Sequence, residues 1–329
     1  MLAGARWMSR AWSFGVIAWA CQAVFADDAP STEAPSTGAS PAAKAVSAEQ
    51  TVLLKYKFQP GQFVHYEVSD RVRYVTQQGG NAFESLTQND SSKHLRVVSV
   101  DDDGSVLLEP IIDRIRMSAK LHDQPLVEFD SAKDKVAPAK FQRHKETVGK
   151  PMARFKHAPN GELLEVRIID ADIVKSGAAA DKADPKVNFL IPLPKEPIAV
   201  GHRWKQKYDA PVSVGQGLTQ QIPMLRQFEL KGVSEGIATI KFRTSILALL
   251  NDPKIQGQLA QQTPSGTIEF DIERGLIRSR KSVTNEAVVN AFGPQSLLQV
   301  EGESTEKMIP NAPALQQVGF TKESDSTGK

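Results

Sequence analysis

The residues best suited to metal chemistry in this chain are histidines spread singly along it. They are His65, His94, His122, His144, His157 and His202. A hydrolytic zinc site on a helix places two histidines four positions apart, and none of these has a second ligand at such short spacing. The sequence therefore predicts isolated histidines on the surface or at the edge of the core, with no metal site and no cofactor, although convergence in space stays open.

The run Asp101-Asp102-Asp103-Gly104 could offer carboxylates to a calcium ion. Counted from Ser99, its acids match the early positions of a calcium loop, but the closing position falls on Pro110 instead of a bidentate acid. The same run suits the tip of a β-hairpin, where a glycine adopts the left-handed conformation. The sequence therefore predicts a hairpin tip here.

Two aspartates occupy matching positions in a repeated tripeptide, because Glu128-Phe129-Asp130 recurs as Glu269-Phe270-Asp271. Paired carboxylates could act as a general acid and base. Each aspartate follows a phenylalanine expected to face the core, so strand alternation places the carboxylates on the opposite, solvated face. We therefore predict that they end their strands in turns, with the carboxylate bound to nearby backbone.

Other catalytic signatures are missing from the sequence. The fragment Gly215-Gln216-Gly217 lacks the third glycine of a nucleotide fingerprint at Gln220, and it has no βαβ frame around it. Neither a nucleophile elbow nor a phosphate-binding loop occurs. No catalytic or cofactor-binding residue is therefore predicted, and a role other than catalysis is favoured.

Two aromatic residues are candidates for lining a ligand site. In the segment from Trp204 to Tyr208, alternation places both of these rings on one face while Lys205 and Lys207 face water. Packing of Trp204 in the core is the alternative, with its indole N–H bound to a nearby acceptor.

The elements that must position these residues are mainly strands. Apolar residues recur with period two, as in Phe63–Val68 and Gly266–Ile272, and turn sequences rich in Gly, Asn, Asp and Pro separate the runs. This pattern predicts a mainly β fold of antiparallel strands, in which each sheet has one face exposed to solvent. The few short helices are predicted within Ile168–Asp181 and Ser245–Gln262, the second interrupted by Pro253 and Gly257.

An internal duplication is indicated by three pairs of landmarks in the same order. The pairs are Phe129 with Phe270, Gly61 with Gly201, and Gly104 with Gly236. The first two pairs have nearly the same offset, and the shorter offset of the third agrees with them if the second copy contains an insertion after Gly236. We predict two related antiparallel units, residues 49–190 and 191–320, that form curved sheets or half-barrels. Between them, the proline-rich run Phe189–Pro197 is expected to be an extended linker or sheet edge.

The chain resembles an uncharacterised family of exported bacterial β-rich proteins. The resemblance spans about Val52 to Met308 and is carried by three motifs: Lys57-Phe58-Gln59-Pro60-Gly61, Pro192-Leu193-Pro194-Lys195-Glu196-Pro197 continuing to Gly201-His202-Arg203-Trp204, and Gly266-Thr267-Ile268-Glu269-Phe270-Asp271. The resemblance implies a β-rich fold and export, and it implies no site residues.

Residues 1–26 have the features of a secretory signal peptide. Arg6 and Arg10 precede an apolar run that ends in small residues near Ala26. Residues 27–48 are rich in Pro, Ala and Ser and are predicted to be a disordered spacer, as is the polar tail 321–329. The alternative is a lipoprotein whose Cys21 is acylated and anchors the chain to a membrane.

The charge balance argues against nucleic acid as a partner. The chain has 40 basic and 38 acidic residues, and Arg6 and Arg10 leave with the leader.

From the leader sequence we expect a periplasmic or surface-exposed bacterial protein with no transmembrane span after leader cleavage. A non-enzymatic module that binds an apolar or lipoprotein-like ligand in a curved sheet is the leading expectation. An envelope scaffold for protein interactions is the alternative, and a hydrolase with a site dispersed in sequence comes third.

Overall fold

The computed structural model describes residues 51–169, 189–215 and 218–310. Some sequence predictions concern residues outside these ranges: the leader 1–26, the spacer 27–48, the tail 321–329 and nearly all of the helix expected within Ile168–Asp181.

Within the described residues the chain forms twelve strands and little helix. The strands are β1 (Phe63–Gln78), β2 (Asn81–Val100), β3 (Val106–Leu121), β4 (Val127–Asp130), β5 (Ala153–His157), β6 (Leu163–Ile168), β7 (Arg203–Gly215), β8 (Leu218–Ser234), β9 (Ile237–Ile246), β10 (Ser265–Asp271), β11 (Leu276–Val289) and β12 (Ser296–Met308). The helices are a 3₁₀ turn (Ala139–Phe141), α1 (Gln142–Thr147) and α2 (Pro253–Leu259).

All twelve strands belong to one antiparallel sheet. Its order is β6-β5-β3-β2-β1-β12-β11-β10-β9-β8-β7, and β4 pairs with β3 beside this path. The sheet is curved but does not close, so among the described strands β6 and β7 are its edges. The predicted mainly β class, with antiparallel strands in a curved sheet and few short helices, is confirmed.

Tight glycine turns connect the long strands, as the sequence predicted. Gly104 has a φ of +81° at the tip between β2 and β3, a region that residues with a Cβ avoid. The Asp103 carboxylate beside it accepts the backbone N–H of Ser105 over 2.8 Å and its hydroxyl over 2.9 Å. The acidic run is therefore a hairpin tip, as expected.

The apolar part of the concave face is filled by two irregular segments of the chain itself, Val52–Phe58 and Phe189–Ile198. They meet where the Tyr56 hydroxyl accepts the N–H of Ile191 over 3.0 Å and donates to its carbonyl over 3.1 Å. Gly161 must lack a side chain here, because a Cβ would lie 2.4 Å from the Tyr56 ring. The proline-rich segment, which the sequence predicted to be a linker or sheet edge, instead packs into the core.

Helix α2 forms because Pro253 begins it. Proline fits the first turn of a helix, where its missing N–H has no partner to lose, and the Asp252 carboxylate caps the turn by accepting the N–H of Lys254 over 2.9 Å. Leu259 is fully buried beneath the helix. Within the predicted span Ser245–Gln262, the proline therefore starts the helical part instead of interrupting it. Gly257 lies inside this helix and does not interrupt it either.

The landmarks of the predicted duplication do not all occupy equivalent places. Gly104 and Gly236 both lie at hairpin tips with positive φ, yet Phe129 lies on β4 beside the main path while Phe270 lies on β10 within it. By strand register the counterpart of Phe270 is His157. Phe270 pairs with the residue two positions after Gly236, and His157 pairs with the residue two positions after Gly104. The equivalence of Phe129 with Phe270 was wrong, and the duplication itself stays a prediction.

Candidate ligand-binding site

Beyond Phe189 the concave face changes from apolar to charged. Lys93 Nζ lies 2.7 Å from Glu306 Oε1 and 5.4 Å from the centre of the Phe189 ring. Arg280 donates to the Phe189 carbonyl over 3.0 Å, and its Nε lies 3.8 Å from Glu306 Oε2. Burial disfavours the charged form of Glu306, but Lys93 and Arg280 outweigh it and lower the pKa of this carboxyl. One half-buried carboxylate therefore balances two cations.

We name this region the polar band and define it by its members: Asp70 on β1, Asn89 and Lys93 on β2, Arg226 on β8, Arg280 on β11, and Ser304 and Glu306 on β12. The band crosses the middle of the sheet. On one side lies the filled apolar core, and on the other lie two smaller buried apolar clusters that include Leu259 and Ala260 at the end of α2. It arises because polar residues replace apolar ones at inward-facing positions of each strand, while the alternation of directions continues unchanged.

Arg226 is the member of the polar band without a carboxylate partner. Its neighbours at alternating positions, Met224 and Phe228, are buried, so the guanidinium faces the same interior. It donates to Thr244 Oγ1 over 3.1 Å and lies 5.5 Å from the centre of the Tyr208 ring. Among the described residues, no ion pair joins it to a carboxylate. Burial lowers its pKa, but arginine stays charged at neutral pH.

Asp70 supplies the other carboxylate of the band at a substantial cost in desolvation. It is 4 % exposed and accepts the Ser304 hydroxyl over 2.5 Å and the Asn89 amide over 3.4 Å. Burial raises its pKa to about 6, against the opposing effects of the Ser304 bond and the charge of Lys93. A carboxyl with this pKa is ionised only in part just below neutral pH.

Unpaired polar atoms are concentrated on the same face. The buried atoms concerned are Thr87 Oγ1, Asn89 Oδ1, Arg280 Nε and Thr284 Oγ1, none of which has a hydrogen-bond partner among the described residues. Native proteins leave few buried polar groups unpaired. Two of these atoms, Asn89 Oδ1 and Arg280 Nε, belong to the band, and the two threonine hydroxyls lie on the same strands as band residues.

The charges of the band favour an anion. Three cations face two carboxylates, and the second of these, Asp70, has its pKa raised to about 6. Farther along β11, burial raises the pKa of Glu286, which faces the opposing charge of Arg243. An excess of positive charge in a partly buried site strengthens its attraction for carboxylate or phosphate oxygens.

Exposed apolar side chains gather at the strand ends beyond the band. They are Phe83, Leu86, Val214, Leu218, Leu247, Leu249, Val289 and Phe292. These residues lie where β1 joins β2, where β7 joins β8, after β9, and where β11 joins β12, at the end opposite the filled core. Leu249 is 97 % exposed. The far rim of the sheet is therefore unusually apolar for a water-facing surface.

The two predicted ligand-lining residues have different surroundings. Trp204 is half-buried against the apolar core, where its indole stacks on Phe228 at 5.4 Å and donates to the Pro192 carbonyl over 2.7 Å. Tyr208 lies under the Arg226 guanidinium, next to the polar band. Tyr208 is therefore the one that the structure brings to the charged region, and the ligand-lining role of both stays a prediction.

Asp130 and Asp271 end their strands in side-chain turns, as predicted. The expectation of a solvated face was wrong for Asp130, which is only 8 % exposed. Asp130 accepts the N–H of Ala132 over 3.0 Å, and Asp271 accepts the N–H of Arg274 over 2.8 Å. Asp130 is also bound by Arg114 through two hydrogen bonds of 3.1 and 2.6 Å, which together lower its pKa to about 2. The two carboxylates do not form a catalytic pair, because they belong to strands on different parts of the sheet.

The histidines are only in part isolated. His157 is fully buried, its Nδ1–H donates to the Gly161 carbonyl over 3.1 Å, and burial lowers its pKa to about 4. His202 is exposed and stacks on Trp204. His65 and His94, by contrast, converge on the outer face, a convergence that sequence spacing could not show.

The charged members of the polar band were not identified from the sequence. Lys93, Arg226 and Arg280 alternate with apolar or polar residues as surface charges do, and nothing in their spacing distinguishes them. A signal exists only once register is known, because Lys93 and Glu306 meet across β1, the strand that pairs with both β2 and β12.

Comparisons with known proteins do not assign the chain to a family. No family model and no curated protein matches it. A solved structure titled for lipid–protein interactions in lipovitellin is similar to this chain with a TM-score of 0.44 and 12 % sequence identity. The match covers 80 % of this chain but only 27 % of the lipovitellin chain. The translocator domain of autotransporter NalP from Neisseria meningitidis is similar at 7 % identity over 77 % of this chain and 90 % of that one, with a TM-score of 0.20. These weak similarities carry no conclusion about function. Within the described residues, no helix is long and apolar enough to span a membrane.

Proposed function

We propose that this chain is an exported, non-catalytic binding protein that holds an anionic amphiphile, a carboxylate or phosphate attached to a hydrocarbon chain, on the concave face of its sheet. The observation that carries the proposal is the inward-facing Arg226, whose guanidinium forms no ion pair with a carboxylate among the described residues. A charge kept in such a place is costly unless something pairs with it.

The anionic group would be recognised by Arg226 together with Arg280. Arginine presents several N–H donors in a planar fork that matches carboxylate and phosphate oxygens. Arg280 already uses one nitrogen on the Phe189 carbonyl, and its Nε, 3.8 Å from Glu306 Oε2, forms no hydrogen bond among the described residues. An anion between the two guanidiniums would also relieve their mutual repulsion, which contributes to lowering the pKa of Arg226.

The hydrocarbon part would lie toward the apolar rim. Ile246 and Leu250 are only partly buried in the cluster that lies next to Tyr208, and the exposed rim residues follow at the strand ends. Such a ligand would place its polar end in the band and its chain along apolar side chains, the arrangement expected of sites with few polar groups in an apolar lining.

Export supports a carrier or envelope role for such binding. The sequence features of a cleavable leader, or of acylation at Cys21, would place the sheet in the periplasm or at the cell surface. An amphiphile is poorly soluble there, so a protein that covers its hydrocarbon chain would be useful. The alternative of an envelope scaffold that pairs through sheet edges is less well supported, because β7 carries Lys205, Lys207 and Pro211, which discourage strand addition.

The test is a calorimetric titration of oleate, and of oleyl alcohol as its uncharged counterpart, into the purified chain and two variants. Arg226→Gln removes the guanidinium that has no carboxylate partner among the described residues, and Arg203→Gln removes an exposed arginine that pairs with Glu229 on the outer face. We expect oleate to bind more tightly than the alcohol. Loss of one charge-assisted contact should weaken oleate binding about 10- to 100-fold in Arg226→Gln and leave it unchanged in Arg203→Gln. Equal oleate affinity in all three proteins, or no binding by the unaltered chain, would refute the proposal.

A further inference from the structure

Two histidines lie directly opposite each other on the outer face of the sheet. His65 on β1 and His94 on β2 are register partners, and their ring centroids are 5.3 Å apart. Side chains opposite each other on neighbouring antiparallel strands point the same way, so both imidazoles face the same small volume. His94 is 5 % exposed, whereas His65 is only half-buried.

A β-bulge adds a carboxylate to the pair. Ser92 pairs with Arg114 and Lys93 pairs with Ile112, so Asp113 is the extra residue of β3. A bulge redirects the side chain of its extra residue, and here the Asp113 carboxylate lies 2.7 Å from His94 Nδ1.

The potential ligand atoms are close together and largely unused. One atom from each of His65, His94 and Asp113 can be chosen so that all three lie within 4.8 Å of one another. Among the described residues, the His65 ring makes no hydrogen bond, and the His94 ring makes one, to Asp113. A structural role alone does not explain why a second imidazole stands unbonded beside the first.

We propose that His65, His94 and Asp113 bind a divalent transition metal ion, with Zn²⁺ as the reference ion. Two imidazoles and a carboxylate are donors that Zn²⁺ accepts at about 2.0–2.2 Å. Ligand atoms around a tetrahedral ion at those bond lengths are about 3.3 Å apart, so the observed set closes by roughly 1.5 Å or less. Rotation of the half-buried His65 ring supplies most of that movement.

The fourth coordination position would face an accessible cleft. His65 lines a cleft of about 440 Å³ between the start of β1, the turn after β10 and the end of β12. Phe63 lines the same cleft and packs 5.4 Å from the His94 ring. Three protein ligands with one open position is the arrangement of zinc sites that keep a water or take an outside ligand, whereas closed structural sites use four.

The test is a titration of Zn²⁺ into the purified chain with all tags removed, followed by calorimetry, with Co²⁺ absorption as a second readout of coordination. We expect one equivalent to bind saturably. His65→Gln should weaken binding at least about 10-fold, and His202→Gln, which changes an exposed histidine outside the cluster, should leave it unchanged.

Asp113→Asn and His94→Gln complete the test. If Asp113 only orients His94, Asp113→Asn should still lower the affinity for Zn²⁺ about 10- to 100-fold, while the Co²⁺ spectrum keeps its shape. Because His94 is buried, circular dichroism must show that His94→Gln folds, and the partly exposed His65 carries the test if it does not. The proposal fails if the unaltered chain binds no Zn²⁺ at micromolar concentration or if His65→Gln binds it equally well.

Discussion

Replacing the buried Asp70 by asparagine should stabilise the protein, and the gain should depend on pH. Burial raises the pKa of Asp70 to about 6 in the folded chain, above its ordinary value of 3.8. The folded state therefore binds the proton more tightly than the unfolded state. The resulting stability is fully present below pH 3.8 and is lost as the pH rises through 6. Above that pH, the buried carboxylate destabilises the fold.

The magnitude follows from the two pKa values. Their difference corresponds to about 3 kcal/mol of destabilisation at pH 7.5, and to almost nothing at pH 4. Asp70→Asn removes this penalty while keeping one oxygen to accept the Ser304 hydroxyl. Its new amide can donate to Asn89 Oδ1 once the Asn89 amide turns, and that oxygen is a buried acceptor without a partner among the described residues.

Urea unfolding followed by circular dichroism at pH 7.5 and pH 4 measures the effect. Asp70→Asn should gain up to about 3 kcal/mol over the unaltered chain at pH 7.5 and show little difference at pH 4. Asp103→Asn is the matched control, because hydrogen bonds from Ser105 lower the pKa of Asp103 and its replacement should destabilise at pH 7.5 instead. A loss of stability in Asp70→Asn of the same size at both pH values would refute the reasoning.

Three further perturbations test the core. Tyr56→Phe leaves the buried N–H and carbonyl of Ile191 without their hydroxyl partner. Urea unfolding should therefore show a free energy of unfolding lower by about 2–5 kcal/mol. A decrease below about 1 kcal/mol would mean that the packing of the two filler segments does not depend on this contact. Gly161→Ala forces a Cβ to 2.4 Å from the Tyr56 ring at a φ of +85°, and a melting temperature equal to that of the unaltered chain would contradict this packing. His157→Leu removes a histidine whose pKa burial lowers to about 4, whereas the unfolded chain takes up the proton from about pH 6.5 downward. Urea titrations should therefore show the unaltered chain losing about 2 kcal/mol of stability relative to the variant between pH 7.5 and pH 5. A stability difference that is the same at both pH values would exclude His157 as the source of the pH dependence.

The fold class could be predicted from the sequence because each long strand alternates and each hairpin has turn residues. The hairpin tip at Gly104 was predicted correctly because a glycine follows a run of aspartates there. The core role of the filler segment Phe189–Ile198 could not be predicted, since its three prolines resemble a linker and only the curvature of the sheet makes it core. Phe129 was matched to Phe270 because a tripeptide repeats, although strand pairing gives the two different places.

The candidate sites were largely invisible because they depend on register between strands far apart in sequence. Lys93 lies on the second strand and Glu306 on the last, so no local pattern joins them. His65 and His94 lie near opposite ends of a long hairpin sequence and become neighbours only through the pairing of β1 with β2. Asp113 joins them only through the pairing of β2 with β3, which local sequence does not reveal.

The central claim, that the concave face binds an anionic amphiphile through its polar band, is tested most directly by a crystal structure of the chain with a brominated fatty acid. The account predicts carboxylate oxygens within about 3.2 Å of guanidinium nitrogens of Arg226 or Arg280, and bromine signal toward the apolar rim. A fatty acid bound with its carboxylate in solvent, or bound only on the outer face, would contradict it.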